Sequence, residues 1–206
     1  MTMSETPAQE HDQRDERRAR FSTTDLALIA AFAALTAACA YVGAIPVGGA
    51  GVPITLQTFA IMLGGCLLGP VRGFLAAALY LGLGAIGLPV FAEHSSGLGV
   101  FTGASAGYLY SFPVAALVAG FLVKYVAGRE RKTRAIFVFL CSLVGSVLVI
   151  HPMGIVGMKL FFDVPWSDAI SYDAPFWIGD VVKTTLVALV AAEVHRAFPQ
   201  LLHPRR

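Results

Sequence analysis

Charge is what this chain is short of. Only 14% of its 206 residues are Asp, Glu, Lys or Arg, against about 25% in a typical soluble domain. The shortage is also patterned. No charged residue falls in the 46 positions from Leu26 to Val71, nor in Gly73–Ala92, His94–Val123 or Ala135–Met158. A soluble protein of this size has no interior large enough for so much apolar chain. With 56% hydrophobic residues and a mean hydropathy of +0.70, the sequence reads as a polytopic membrane protein. Disorder requires the opposite composition and is excluded. A net charge of +2, with the basic residues divided among short segments, leaves no nucleic-acid footprint. Cysteine is scarce too: Cys39, Cys66 and Cys141 stand far apart inside apolar runs. That spacing suits neither a zinc site nor a disulfide framework, so they read as small buried hydrophobes, and no metal or cofactor is expected.

What is present is a series of apolar runs separated by helix breakers. They predict an all-α fold of six membrane spans, at about 24–45, 54–69, 71–88, 105–126, 134–157 and 176–196. Pro46, Gly48, Gly49, Gly51 and Pro53 separate the first two, Gly69-Pro70 forces a tight break before the third, and Pro89 closes it. The glycines at 97, 99, 103 and 107 read as a loop leading into the fourth. The second run is short for a bilayer core of about 30 Å. Residues 1–23 are polar and of mixed charge, which predicts a disordered cytoplasmic tail; 24–196 form the membrane domain and 197–206 a second short tail.

The positive-inside rule tests this layout. One side collects thirteen of the fifteen Lys and Arg residues, from the N-terminus, Arg72, the 124–134 segment and the C-terminus. The other has Lys159 alone, beside Glu93, Asp163, Asp168 and Asp173. Both ends are therefore expected in the cytoplasm. The remaining cation, Lys183, lies inside the last span, three residues after Asp180 and on the same helical face.

An ionisable group at that depth costs at least a few kcal/mol and normally faces a partner, a cavity or a ligand. Two readings of the pair stand. It is either a structural ion pair near the outer helix end, or one wall of a small-molecule pocket. In the second, Lys183 neutralises an anionic group and Asp180 accepts from ligand N–H groups. Thr55, Gln57 and Thr58 open the second span and lie near such a pocket or cap their helix. Glu93, His94, Tyr108 and Tyr110 surround an outer turn. His151 in the fifth span reads as hydrogen-bonded packing, and Glu193 and His195 as facing headgroups. Ala30, Ala34 and Ala38 line one face of the first span, either for packing within the bundle or for a partner subunit in the membrane.

Several motifs in order also resemble a known family. Val52-Pro-Ile-Thr-Leu-Gln-Thr-Phe59, Leu68-Gly-Pro-Val-Arg-Gly73, Gly84-Ala-Ile-Gly-Leu-Pro-Val-Phe91, Gly97-Leu-Gly99, Gly107-Tyr108 and Asp180-x-x-Lys183 are similar to the BioY family of bacterial biotin transport proteins. The likeness spans about 24–196. It departs at Gly103-Ala-Ser-Ala-Gly-Tyr108, where relatives commonly read Gly-Pro-Thr-Gly-Gly-Tyr, and at Glu93-His94, where small or amide residues are usual. The resemblance implies a substrate-capture (S) component of an energy-coupling factor (ECF) transporter in the bacterial plasma membrane. It implies six helices, biotin as ligand, a transmembrane coupling (T) subunit and a cytoplasmic ATPase pair as partners, and no enzymatic activity. It also implies an outward-facing pocket with the loop 46–56 as lid. The expected substrate contacts are Asp180, Lys183, Gln57, Thr58, Glu93 and Tyr108, and the expected partner face is Ala30, Ala34 and Ala38. Two alternatives remain: an S component for another vitamin, and an intramembrane enzyme using Asp180 with His151 or His94. No Ser/His pair signature, His-Glu-x-x-His motif or Walker A loop appears, so any ATP use falls to partners.

Overall fold

The first helix begins where the sequence supplies a complete N-terminal cap. Ser22 Oγ accepts from the Asp25 N–H at 3.1 Å, and Asp25 accepts from the Ser22 N–H at 3.0 Å, which satisfies two of the orphan donors of a helix start. Arg72 then reaches Asp25 at 2.7 Å and ties this end to the start of a later helix. The computed structural model describes residues 21–42, 44–45, 51–126, 135–198 and 201. Among these the regular structure is helical, apart from one antiparallel bridge between Ile45 and Ile54.

Four helices are long and apolar enough to cross a membrane: Thr23–Tyr41 (α1), Ala106–Tyr125 (α4), Ala135–Phe162 (α5) and Trp166–Ala197 (α6). Gln57–Leu68 (α2) and Pro70–Ala85 (α3) are shorter apolar helices. The twelve residues of α2 rise only about 18 Å, well short of a bilayer core. Between α2 and α3, Gly69 takes φ +82° and Pro70 starts the next helix at a position where its missing N–H costs nothing. Two short 3₁₀ turns, Ala92–His94 and Leu98–Thr102, fill the connection that was expected to be a glycine-rich loop.

Three boundaries differ from expectation. The first span was expected to reach residue 45, but α1 stops at Tyr41 and Val42 is already extended. The fifth was expected over 134–157, yet α5 runs on to Phe162 and ends at Asp163 in the left-handed conformation, φ 52°. The last was expected over 176–196, but α6 begins ten residues earlier at Trp166 and continues through Pro175. A proline inside a membrane helix is tolerated where neighbouring groups satisfy the freed backbone. Of the acids counted with the outer side, Asp168 and Asp173 are part of this helix, and Asp173 is fully buried. Within α5, Ser146–Ile150 forms a widened π turn immediately before His151-Pro152. Pro152 has no N–H to give to the preceding turn, and the wider turn absorbs that loss.

Most of the expected tails (1–23 and 197–206), the segment 127–134 and positions 46–50 of the expected lid lie outside the described residues, and with them most of the basic residues counted above. Asp173, counted with the outer loops from its sequence neighbours, is instead inside α6 and 0% exposed. His195 also departs from expectation: it is buried, whereas Glu193 is exposed and pairs with Arg196. The cysteines are buried and free.

The helices touch through glycine. A Cβ on Gly120 of α4 would stand 2.6 Å from the Gly65 carbonyl oxygen of α2, and one on Gly157 of α5 would stand 2.7 Å from the Gly107 Cα of α4. Lipid tails are as apolar as leucine, so close backbone approach rather than hydrophobic exclusion holds such helices together. Outward positions such as Ile178, Leu160 and Leu148 are left to the lipid. Gly120→Val should overpack the α2–α4 crossing at a cost of about 1–3 kcal/mol. In purified protein the melting temperature should fall by roughly 2–4 °C per kcal/mol; an unchanged melt would contradict the close crossing.

Candidate functional site

A cavity of about 130 Å³ lies where the connections after α1 and α3 meet the helices. That is room for on the order of ten waters. Thr55, Gln57 and Thr58 enter from the start of α2, Tyr108, Leu109 and Phe112 from α4, and Asp180 and Lys183 from the middle of α6. Phe91 and Phe176 supply further apolar wall. The chain folds back over this region because Ile45 and Ile54 exchange both backbone hydrogen bonds at 2.9 Å. Gly51, Val52 and Pro53, in the described part of the expected lid, line the cavity.

The structure brings Asp180 and Lys183 together as an ion pair, with both residues buried. Lys183 Nζ also donates to the Thr55 carbonyl at 3.2 Å. Asp180 accepts from Thr58 Oγ1 at 3.3 Å and from Ser146 Oγ at 2.9 Å. Three helices and a loop therefore converge on one carboxylate–ammonium pair. The structural and pocket readings of the pair do not exclude each other: it is internally matched, and it lines the cavity. Gln57 is held by its neighbours, accepting from Thr55 Oγ1 at 2.7 Å and donating to the Tyr80 hydroxyl, which itself donates to the Val90 carbonyl at 3.1 Å.

At the mouth, Glu93 is exposed and lines the cavity. Glu93 and His94 both adopt positive φ, 55° and 60°, a conformation costing non-glycine residues about 1–3 kcal/mol each. His94 packs edge-on against Tyr41 with ring centroids 4.4 Å apart, outside the cavity lining. Tyr110 is likewise elsewhere, its hydroxyl donating to the Phe101 carbonyl at 3.1 Å. Tyr108 is buried, lines the cavity and donates to Asp173 at 2.5 Å. All six residues expected to contact substrate thus meet at one cavity. Ala30, Ala34 and Ala38 are exposed along α1, whereas Ile29, Ala33, Thr36 and Ala40 turn inward.

Sequence reasoning missed Asp173. It precedes Asp180 by seven residues and Trp177 by four, a spacing that returns to the same helical face. Placing the start of the last span at residue 176 left Asp173 outside it and hid that periodicity. Ser146 and Tyr80 had no sequence signal of their own.

A sequence model described as the BioY family matches residues 12–200. The chain belongs to the BioY family. A Rhodobacter capsulatus protein named biotin transporter BioY is 39% identical over 191 residues, covering 88% of this chain and 98% of that one. Proteins of the same name from Rhizobium etli and Thermotoga maritima are each 33% identical, over 87% and 80% of this chain and 97% and 92% of theirs. A crystal structure of the S-component for biotin from an ECF-type ABC transporter superposes with a TM-score of 0.79 at 24% identity, covering 94% of this chain and 95% of that chain. The fold of this BioY family member is thus that of an S component.

Breaking the buried pair should cost stability, because the partner left behind is an uncompensated charge. Lys183→Met should lose about 3–5 kcal/mol. The double variant Asp180→Leu/Lys183→Leu should melt closer to wild type than Lys183→Met does. Equal melting of all three proteins would show that the pair contributes nothing to the fold.

Proposed function

We propose that this protein is the biotin-capturing S component of an ECF-type transporter in the bacterial plasma membrane. One observation carries the reading: the deep end of the cavity presents an acceptor and a donor side by side with their charges matched, Asp180 beside Lys183. A cyclic urea, with N–H donors flanking a carbonyl acceptor, is neutral and complementary to such a pair. The thioether ring suits walls made by Phe91, Leu109, Phe112 and Phe176, and the valerate chain then runs toward the mouth. Because Lys183 is already committed to Asp180, it serves better as donor to the urea oxygen than as counter-ion to the ligand carboxylate. Asp180, Lys183, Gln57, Thr58, Glu93 and Tyr108 are the proposed contacts. The names carried by relatives of high coverage support the same ligand.

The proposal includes a topology and partners. Six helices, the short α2 and α3 among them, make up the membrane bundle with both termini in the cytoplasm, flanked by tails at 1–23 and 197–206. The exposed stripe Ala30, Ala34 and Ala38 receives a transmembrane T component, which links the protein to a cytoplasmic ATPase pair. The protein itself catalyses no reaction.

Equilibrium binding of biotin and a vitamin panel to the detergent-purified protein tests the ligand. Submicromolar biotin binding is expected; another vitamin bound in its place would make this an S component of different specificity, and turnover of a panel member would favour an enzyme built on Asp180. Below its melting temperature, Lys183→Ala should weaken biotin tenfold or more, since a charge-assisted hydrogen bond contributes about 1.5–3 kcal/mol. Ala34→Trp should abolish co-purification with the T component while leaving biotin affinity intact; a complex that survives would remove the alanine stripe from the interface.

A further inference from the structure

Behind the cavity wall lies a second buried polar group that the binding reading does not use. Asp173 is 0% exposed and His151 2% exposed, and a buried ionisable group left unsatisfied costs several kcal/mol. Three donors converge on the Asp173 carboxylate: Tyr108 Oη at 2.5 Å, Trp177 Nε1 at 2.7 Å and His151 Nδ1 at 2.8 Å. The other nitrogen of the same imidazole, Nε2, stands 3.6 Å from Asp180 Oδ2. One face of the ring is covered by Trp177, stacked at 4.4 Å between centroids and 19° from parallel, which fixes the plane in which both nitrogens point. The ring is delivered by α5 immediately after its π turn, and Ser146 at the start of that turn donates to the same Asp180 oxygen.

We propose that His151 and Asp173 are positioning residues for the binding site. His151 is locked onto Asp173, and its Nε2 edge, 3.6 Å from Asp180 and beside the Ser146 hydroxyl that donates to that carboxylate, limits the orientations open to Asp180, while Asp173 sets the Tyr108 hydroxyl. Asp180 and Tyr108 line the cavity, whereas His151, Asp173 and Trp177 stand outside its lining. Asp180 and Tyr108 each have a partner outside the cavity lining, Ser146 for the first and Asp173 for the second. A carboxylate held on both flanks presents one rotamer to a ligand, and that pre-organisation lowers the ordering cost of binding.

This inference rests on biotin being the ligand that meets Asp180, and the experiment separates the two. The chain has two tryptophans, Trp166 and Trp177, so Trp166→Phe leaves Trp177 as sole emitter, stacked on His151. Saturating biotin should change the Trp177 emission of this protein, although Trp177 does not line the cavity. Titrations should show biotin affinity reduced tenfold or more by His151→Leu and restored to within about fivefold of wild type by His151→Gln, whose amide still offers a donor. Affinity within twofold of wild type in His151→Leu, a Gln variant no better than the Leu variant, or silent Trp177 emission at saturation would each overturn the positioning role. If His151→Leu does not fold, the emission measurement on the folded Trp166→Phe protein decides alone. A wild-type protein that does not bind biotin overturns the function proposed above, and this inference with it.

Discussion

The structure depends on the pairing of Asp180 with Lys183, two buried ions on the wall of a cavity within an otherwise apolar bundle. In hydrocarbon, a lone charge shifts the whole helix out of register, or is not tolerated at all. Here each ion finds the other one turn along α6, and the remaining lone pairs and protons are met by α2, α5 and the loop before α2. The pair therefore constrains more than its own helix. Thr58, Ser146 and the Thr55 carbonyl must arrive at one point, and that fixes how far α2 and α5 slide along α6.

Close packing makes that convergence possible. Gly107 and Gly157 let α4 and α5 approach until backbone meets backbone, and Tyr108, the next residue on α4, reaches Asp173 on α6. A larger residue at either glycine would push α4 and α5 apart at the point that places Tyr108. The π turn has the matching effect on α5. It changes the helical phase between Ser146 and His151, so that both present their polar atoms to α6. Small residues and one irregular turn thus position the polar side chains, rather than the reverse.

These physical causes decide what could be read in advance. The absence of charge over whole segments was enough to identify a membrane protein, and Asp180 with Lys183 stood out because nothing else charged lay near them in an apolar run. Breakers located the turn at Gly69-Pro70 because proline and glycine act locally. The upper third of α6 was hidden, because Asp168, Asp173 and Pro175 individually look like loop residues. Only tertiary partners make Asp173 a helical, buried residue, and those partners come from α4 and α5, sixty-five and twenty-two positions away. The burial of His195 is similarly a property of neighbours and not of its own segment. Glu93 and His94 show the converse: their left-handed backbone follows from closing a short turn between Phe91 and Ser95, and no residue preference announces it.

A site of this construction has a particular energetic character. Its ions are paired and hydrogen-bonded within the protein, so the site is not a reservoir of unsatisfied charge. A neutral ligand with alternating donors and acceptors exchanges hydrogen bonds with the pair rather than adding a new ion to it, and such exchange is close to balanced in free energy. Net attraction then comes from what the exchange leaves over: apolar surface buried against Phe91, Phe112 and Phe176, and rotamers that are already fixed. An anion entering the deep end would have to compete with Asp180 for Lys183 and would leave one carboxylate buried without its cation. In the proposed binding mode, discrimination against a charged group at that depth therefore follows from the pairing itself.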